Sequence, residues 1–558
     1  MLAKTLKLCF PSRGYRQKYS RSCTGQSRVL NFMQALLVLI VMAFLISGCT
    51  MVGPDYVKPT APEPEEWLEY EDPKIKSEEA DFSQWWAVFN DPVLNTLVEA
   101  AYQQNLTLQT AGVRILEARA QLGIAIGFQY PQTQQATGDA AAQKLSRNTP
   151  NSAAIERFSY IYDVGFDAAW ELDFWGKFRR AVQSEVANLE ASIANYDDIL
   201  VTLTSEVART YVVLRTSEER LAVARQNVEI QKRSLQIAEV RFKAGAVTEL
   251  DVTQARALMR GTESTIPGFE SDIRQAKNAL AILLGKLPGE VDEMLGGAGL
   301  IPEVPAAVAV SIPAELLRRR PDIRFAERRL AAQSALIGVA RADLFPHFSL
   351  FGSIGYTTSG STSPPQSNNA GLSDLFDSQS FNYSVGPSIN WDLFNYGRIT
   401  NNVRVQDARF QQLAVDYENT VIEAAQEAED AMVSFLRSQD AVFFLADAVK
   451  ASKRSVDLSL IQYREGLIDY QRVLDTQRFL TEQQDNLVFT AGNVDLSLVA
   501  LYKALGGGWE IREGKPFVSE NIKEQMRNRT NWGRLLAPER LETEPSEDVR
   551  RVFNRPDW

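Results

Sequence analysis

The sequence of 558 residues is 45% hydrophobic and 23% charged, a composition that excludes a largely disordered protein. Acidic residues outnumber basic ones, giving a net charge of −11 at pH 7, and this excess argues against a nucleic-acid-binding protein. The chain has a single histidine, His347, and no glycine-rich phosphate loop or paired-carboxylate motif. We therefore predict that the protein is not an enzyme, and that it holds neither a metal nor any other cofactor, apart from a covalent lipid discussed next.

The first 48 residues have the pattern of an export signal. A basic stretch precedes twelve apolar residues, Ala35 to Ile46, which are too few to span a bilayer as a helix of about 20 residues. They suit the apolar core of a signal peptide. The small residues before Cys49 resemble a bacterial lipobox and predict that Cys49 becomes the acylated N-terminus. The alternative is a short membrane anchor followed by a chance cysteine. Because Cys9 and Cys23 leave with the signal, no disulfide is expected in the mature chain.

Two segments with period-two patterning predict a β-hairpin in the first half of the chain. In 158–174, hydrophobic side chains alternate with polar ones. The hydrophobic set is Phe158, Tyr160, Tyr162, Val164, Phe166, Ala168, Trp170 and Leu172, and the polar set is Ser159, Asp163, Asp167, Glu171 and Asp173. This pattern is typical of a membrane β-barrel strand around water, although a soluble sheet with one wet face would also produce it. The small and polar segment 132–145 is the predicted partner strand.

A helix of unusual length is predicted over 177–244. The 68 residues between Gly176 and Gly245 contain no glycine or proline, and hydrophobic side chains recur at every seventh position. These positions are Val186, Ile193, Leu200, Val207, Leu214, Leu221, Val228, Leu235 and Phe242. A heptad repeat keeps its seam on one side only if the helix supercoils with neighbours. At 1.5 Å per residue, such a helix would be about 100 Å long.

The second half of the sequence repeats the first at a shift of 221 residues. Trp170 falls on Trp391, and Gly245 falls on Gly466. The predicted elements therefore recur as strands at about 347–357 and 380–394 and a long helix at 398–465. The heptad positions of this second helix are Ala414, Val421, Ala428, Phe435, Val442, Val449, Val456 and Tyr463. Such self-similarity indicates an internally duplicated protein.

The number of predicted strands has a consequence for assembly. A membrane barrel must close on itself, because lipid cannot satisfy the backbone groups of an open edge. The smallest such barrels have about eight strands, and one chain supplies four. The chain must therefore assemble with copies of itself, and strand counting leaves open whether two copies form eight strands or three copies form twelve.

Short motifs spaced along residues 49 to about 510 resemble a known family. They are Gly53-Pro54-Asp55-Tyr56, Trp85-Trp86, Asp91-Pro92, Arg319-Arg320-Pro321-Asp322-Ile323, Leu344-Phe345-Pro346, Asp392-Leu393-Phe394 and Gly506-Gly507-Gly508-Trp509. Together, and in this order, they resemble the outer membrane factors of the TolC/OprM type. The lipobox makes the chain most similar to the lipoprotein branch of that family, the NodT-like group that serves RND-type efflux pumps.

The resemblance implies a mainly α fold with a membrane β-barrel. A homotrimer would form a twelve-stranded barrel in the outer membrane, continued through the periplasm by an α-barrel of long coiled-coil-like helices. It further implies a lipid-anchored channel that exports drugs or other small molecules, with a periplasmic adaptor and an inner-membrane RND-type pump as partners. No nucleic acid is expected.

The repeats and the resemblance divide the chain into six parts. These are the signal peptide 1–48, a lipidated N-terminal and equatorial segment 49–104, a first repeat 105–285, an equatorial linker 286–320, a second repeat 321–506, and an equatorial segment with a charged tail 507–558. Within the repeats, shorter helices are expected at 105–130 with 248–285, and at 321–345 with 469–505. The resemblance gives the tail beyond about 525 no role.

The resemblance also implies roles for residues near the two helical hairpin tips. The expected adaptor-docking residues are Arg241, Phe242, Gly245, Tyr463 and Gly466. Asp475 matches an aspartate that rings the closed periplasmic end, and Asp251 matches a carboxylate that holds the closed state by ion pairing. Arg472 stands where TolC has a second aspartate, so the implied gate has one acidic tier with a basic neighbour. The alternative is that Asp475 forms a solvated ion pair with Arg472 or Arg478, which is worth only tenths of a kcal/mol.

Other functions remain open from the sequence. A non-porous coiled-coil envelope lipoprotein would explain the heptads and the lipid anchor, but not the aromatic alternating strands. A lipid-anchored enzyme would need a catalytic constellation that the sequence lacks. A conduit for a type I protein secretion system is the nearest alternative, and the lipobox with Gly53–Tyr56 favours the efflux branch by analogy.

Overall fold

The computed structural model describes residues 51–537, apart from 63, 65, 77–80, 147, 149–157, 311–317 and 362–369. The predicted signal peptide, Cys49 and the tail from residue 538 onward lie outside the described residues. Long helices and a four-stranded antiparallel sheet dominate the chain. This confirms the predicted fold class.

The elements have the following bounds. The helices are α1 (Pro92–Gln104), α2 (Leu106–Gly127), α3 (Lys177–Lys243), α4 (Glu249–Glu263), α5 (Ile266–Leu283), α6 (Asp292–Leu295), α7 (Pro321–Ala342), α8 (Arg398–Arg464), α9 (Tyr470–Ala504) and α10 (Glu520–Arg529). The strands are β1 (Ile75–Lys76), β2 (Thr133–Lys144), β3 (Phe158–Leu172), β4 (Val308–Ala309), β5 (His347–Ser361) and β6 (Phe381–Asn390). Short 3-10 turns lie at Trp85–Phe89, Leu372–Asp374 and Trp509–Arg512.

The four-stranded sheet has the order β2-β3-β5-β6, so a strand of each repeat lies at its centre and β2 and β6 are its edges. One face carries cross-strand rows of apolar side chains, such as Phe166 beside Ile354 and Ile354 beside Tyr383. The other face carries polar rows, in which Asp163 lies beside Asp139 and Thr357. The predicted alternation therefore produces one apolar and one polar face.

Two strand bounds differ from the prediction by more than two residues. β5 continues to Ser361, four residues beyond the expected end. β6 ends at Asn390, so Trp391 and Leu393 follow the strand instead of lying on its apolar face. Trp391 donates a hydrogen bond from Nε1 to the carbonyl of Leu344, at 3.1 Å. This contact ties the chain to the end of α7, where it leaves the sheet and approaches α8.

The two long helices, α3 and α8, each contain 67 residues, which corresponds to about 100 Å. Both follow a glycine with positive φ, Gly176 at 77° and Gly397 at 81°, where a side chain would be strained. The predicted heptad positions are mostly buried, but Phe242 at the end of α3 is 43% exposed. That position lies in the last turn of the helix, at the tip of the molecule.

The shorter helices flank the long ones. α3 packs against α2, α4 and α5 of its own repeat, and α8 packs similarly against α7 and α9. α3 also packs against α7 and α9, which joins the two repeats. The segment 248–285 forms two helices: the chain breaks between α4 and α5, where Pro267, in the first turn of α5, lacks a backbone N–H.

A hydrophobic core surrounds the middle of α3 and combines all three predicted equatorial segments. Trp85 stacks on Tyr502 with ring centroids 5.3 Å apart, and a Cβ at Gly507 would lie 3.1 Å from Trp85. This close packing explains the glycine run near residue 507. Met526 and Leu536 are buried in the same core, so the chain beyond 525 has a structural role that the sequence did not reveal.

Candidate functional site at the hairpin tips

The tips of the α3–α4 and α8–α9 hairpins lie at the ends of the long helices opposite the sheet, and their backbone turns are the same. Gly245 has φ 72° and Gly466 has φ 77°, the left-handed conformation that ends many helices. The Gly245 N–H donates to the carbonyl of Phe242 at 2.9 Å, and the Gly466 N–H donates to that of Tyr463 at 3.0 Å. The duplication therefore extends to the geometry of the turns.

Arg241 of the first hairpin holds the end of the second. Its guanidinium lies 4.7 Å from the centre of the Tyr463 ring, within the range of a cation–π contact. The same group donates hydrogen bonds to the carbonyls of Tyr463 and Arg464, the latter at 3.2 Å. These carbonyls are at the C-terminus of α8, where backbone acceptors lack helical partners and the helix dipole favours a cation.

Asp251 of the first hairpin binds the same tyrosine. The Tyr463 hydroxyl donates to Asp251 Oδ2 at 3.0 Å, and Tyr463 is only 1% exposed. Burial, together with this hydrogen bond, raises the pKa of Tyr463 above its ordinary value, so the hydroxyl remains a donor. Within the described chain Asp251 thus accepts a hydrogen bond from a tyrosine, whereas the resemblance led us to expect an ion pair.

Tyr470 extends this cluster. Its ring centroid lies 5.3 Å from that of Tyr463, and burial raises the pKa of Tyr470. The Tyr470 hydroxyl is buried without a hydrogen-bond partner among the described residues. In the sequence, Tyr470 is marked by its position directly after the second turn, at the start of α9.

Asp475 and Arg472 are exposed on α9 and do not join the cluster. Asp475 accepts a hydrogen bond from Gln471 Nε2 at 2.9 Å; neither Arg472 nor Arg478 forms an ion pair with it in the described part of the chain. Arg472 donates its backbone N–H to Asp469 Oδ1 at 3.3 Å. The gate role of Asp475 and the docking role of the tips stay predictions.

A polar seam between α3 and α9 leads from the tips toward the middle of the molecule. Asn227 donates to Gln484 at 2.9 Å, and Arg220 binds Asp485 through two contacts of 2.8 Å. Gln231 with Thr481, and Gln477 with Ser234, continue the seam. A typical hydrogen bond of this kind contributes about 0.5–1.5 kcal/mol to stability. The heptad pattern does not reveal this polar seam, because its residues lie beside the apolar heptad positions.

The tips offer surfaces for binding. Among the described residues, no cluster of His, Cys, Asp and Glu side chains could hold a metal ion. The tips present hydrogen bonds between two hairpins and exposed apolar side chains, next to a coiled coil with a polar seam.

Comparison with known proteins gives matches over most of the chain. The outer membrane efflux protein family matches residues 97–286 and again 312–507, once on each repeat. The probable outer membrane lipoprotein SilC of Salmonella typhimurium is 29% identical over 85% of this chain and 98% of its own. Nodulation protein T of Rhizobium leguminosarum bv. trifolii is 30% identical over 84% of this chain and 96% of its own. The structure of the outer-membrane channel OprN has a TM-score of 0.75 at 34% identity, covering 82% of this chain and 99% of that one.

Proposed function

The chain belongs to the outer membrane efflux protein family, and from this membership we propose its assembly, its partners and its gate. It is an outer membrane efflux channel whose helices extend into the periplasm. Its working unit is a homotrimer with a twelve-stranded barrel. A periplasmic adaptor docks at the hairpin tips and connects the channel to an inner-membrane RND-type pump, which supplies drugs or other small molecules.

The two unpaired edges of the sheet carry this proposal. In the described part of the chain, β2 and β6 each have one strand neighbour, and lipid would leave the backbone groups at both edges unsatisfied. The β2 edge of one copy is free to pair with the β6 edge of the next, which makes a ring. The apolar rows containing Phe166, Ile354 and Tyr383 would then face lipid, and the rows containing Asp163 and Thr357 would face water.

Conductance of the purified protein in planar lipid bilayers tests this function. We expect discrete single-channel steps, and a native mass equal to three copies of the mature chain. The absence of steps from protein that inserts as a stable oligomer would favour the non-porous envelope lipoprotein. A stable dimer would overturn the twelve-stranded barrel.

The docking of the N-terminal segment supports a lipid anchor at Cys49. The Val52 N–H donates to the carbonyl of Trp175 at 3.0 Å, which holds the chain where the sheet meets α3. Arg180 donates to the carbonyl of Gly53 at 3.3 Å and to Asp55 at 2.8 Å. A lipid on Cys49 would thus be attached close to the barrel, at the membrane surface.

Changing Cys49 to Ser should abolish acylation and slow removal of the signal peptide, while part of the export function survives. Two or more acyl chains anchor a protein firmly where one is marginal, but the barrel itself also holds the chain in the membrane. Mass spectrometry of the mature N-terminus measures the modification. An unmodified Cys49 in the mature wild type would end the lipoprotein proposal.

Changing Asp475 to Ala should make the resting channel leakier. In a trimer the three copies of Asp475 stand around one axis, and such a ring attracts cations and repels anions. Asp475 is exposed, and its hydrogen-bond partner among the described residues, Gln471, is uncharged, so its negative charge is not neutralised there. The measurement is conductance with and without divalent cations.

Arg472→Ala is the matched control for the same ring, because it removes the opposite charge one helical turn away. We expect it to strengthen cation block, whereas Asp475→Ala weakens it. If neither conductance nor cation sensitivity changes in Asp475→Ala, then the ring is not the gate.

A further inference from the structure

The duplication relates the residues of the tip cluster in pairs. A shift of 221 residues places Phe242 on Tyr463 and Asp251 on Arg472. The N-caps of the two following helices, Thr248 and Asp469, share the same extended backbone, with ψ 165° in each. Because the turns and caps coincide, the paired side chains leave equivalent positions on the two hairpins.

Of these four residues, Tyr463 and Asp251 contact each other within the chain, whereas Phe242 and Arg472 do not. Tyr463 is buried and hydrogen-bonded to Asp251. Its counterpart Phe242 is exposed, as is Arg472, the counterpart of Asp251. Neither side chain has a ring or ion-pair contact among the described residues.

A ring of copies would bring Phe242 of one copy close to Arg472 of another. The repeats alternate around such a ring, so the second repeat of one copy lies beside the first repeat of the next. In this chain the first repeat meets the second through α3, which packs on α7 and α9. The equivalent long helix α8 exposes Phe443 and Phe444, which a neighbouring copy could cover. The boundary between copies thus repeats the boundary inside the chain, with Phe242 in the place of Tyr463 and Arg472 in the place of Asp251.

We infer that Phe242 of each protomer packs against the guanidinium of Arg472 of its neighbour and locks the tips together across the subunit boundary. This inference rests on the homotrimer proposed above. Tyrosine donates a hydrogen bond to a carboxylate, which phenylalanine cannot do. The negative face of a phenyl ring instead attracts a cation. The pair inside the chain therefore joins a tyrosine hydroxyl to a carboxylate, and the pair between copies joins a phenyl ring to a guanidinium.

The position of Arg241 supports the same contact. Inside the chain, the ring of Tyr463 is covered by the guanidinium of Arg241 at 4.7 Å. The counterpart of Arg241 in the second repeat is Gln462, which carries no charge. At the boundary between copies a cation over the ring must therefore come from another position, and Arg472 supplies it.

Cross-linking tests the contact directly. We expect a double variant, Phe242→Cys with Arg472→Cys, to give covalent dimers and trimers when the assembled channel is treated with a short bis-maleimide. The matched control is Leu467→Cys with Phe242→Cys, since Leu467 is also exposed at a tip but lies outside the predicted contact. Products of monomer mass from an intact trimer would overturn the inference alone. A wild-type protein without a trimer would overturn the proposed function as well.

A pair exchange tests whether the contact holds the channel closed. Arg472→Asp should raise the open fraction by about twofold to fivefold per contact, the factor that an exposed cation–π contact gives. Adding Phe242→Tyr should restore closure, because it recreates the tyrosine–carboxylate pair found inside the chain. Arg472→Lys, which keeps the cation, should change conductance less than Arg472→Asp. The inference is wrong if Phe242→Tyr leaves the effect of Arg472→Asp unchanged.

Discussion

Replacing Tyr383 with arginine is expected to prevent the channel from assembling in the membrane. Tyr383 is 72% exposed on the edge strand β6 and lies beside Ile354 on the apolar face of the sheet. A lipid-facing arginine near the bilayer midplane costs about 2–4 kcal/mol. A trimer would incur this cost three times, which exceeds what one altered surface residue usually does to a soluble protein.

The measurement is the amount of native trimer in the outer membrane fraction, read on a non-denaturing gel. Tyr162→Arg, at the position that the duplication relates to Tyr383, should show a similar loss. Asp163→Asn is the control on the opposite face, because its amide can still accept the hydrogen bond that Thr357 donates to Asp163. Equal tolerance of the changes on both faces would contradict the assignment of these strands to a barrel.

Local periodicity explains why so much of the fold could be predicted. The long helices begin after Gly176 and Gly397 and end two residues before Gly245 and Gly466, since heptads run between these glycines without interruption. The alternation of hydrophobic and polar residues likewise predicted the apolar face of β3. Pro267, in the first turn of α5, is a local signal of the same kind, because proline is tolerated at the start of a helix but not in its interior.

Contacts between distant segments could not be predicted in the same way. Tyr463 and Asp251 are 212 residues apart, and no period in the sequence connects them. The resemblance identified Asp251 as a tip carboxylate, but the structure was needed to show that its partner in the chain is a hydroxyl. Arg180 is similar: its role in holding Gly53 and Asp55 depends on packing between helices and the N-terminal segment.

Close approaches give the family motifs a physical meaning that the sequence alone does not. A Cβ at Gly53 would lie 2.4 Å from the Cα of Gly338, so the N-terminal segment can cross α7 only if both positions lack side chains. The motif containing Gly53 therefore allows the N-terminal segment to lie directly on α7. It would serve this purpose whatever the channel transports.

Replacing Asp495 with asparagine is expected to stabilise the protein near neutral pH. Asp495 lies on α9, is 2% exposed, and its Oδ2 has no hydrogen-bond partner among the described residues. Burial raises the pKa of this carboxyl to about 8 from an ordinary 3.8. The folded protein therefore keeps Asp495 protonated at pH values where the unfolded chain ionises it.

The sign of the pH dependence follows from this difference. Between about pH 4 and pH 8 the folded state binds one proton more than the unfolded state, so the free energy of unfolding falls as pH rises, by up to about 1.4 kcal/mol per unit. The stabilisation is fully present below the unfolded pKa and is lost as pH approaches the folded pKa.

Asparagine does not titrate, so Asp495→Asn should remove this contribution. We expect the melting temperature of the detergent-solubilised wild type to fall from pH 5 to pH 8 more steeply than that of the variant. Asp447→Asn, an exposed change on α8, should keep the wild-type slope. Parallel slopes for wild type and Asp495→Asn would show that the buried carboxyl finds a partner in the assembled channel, such as a cation or a residue of another copy.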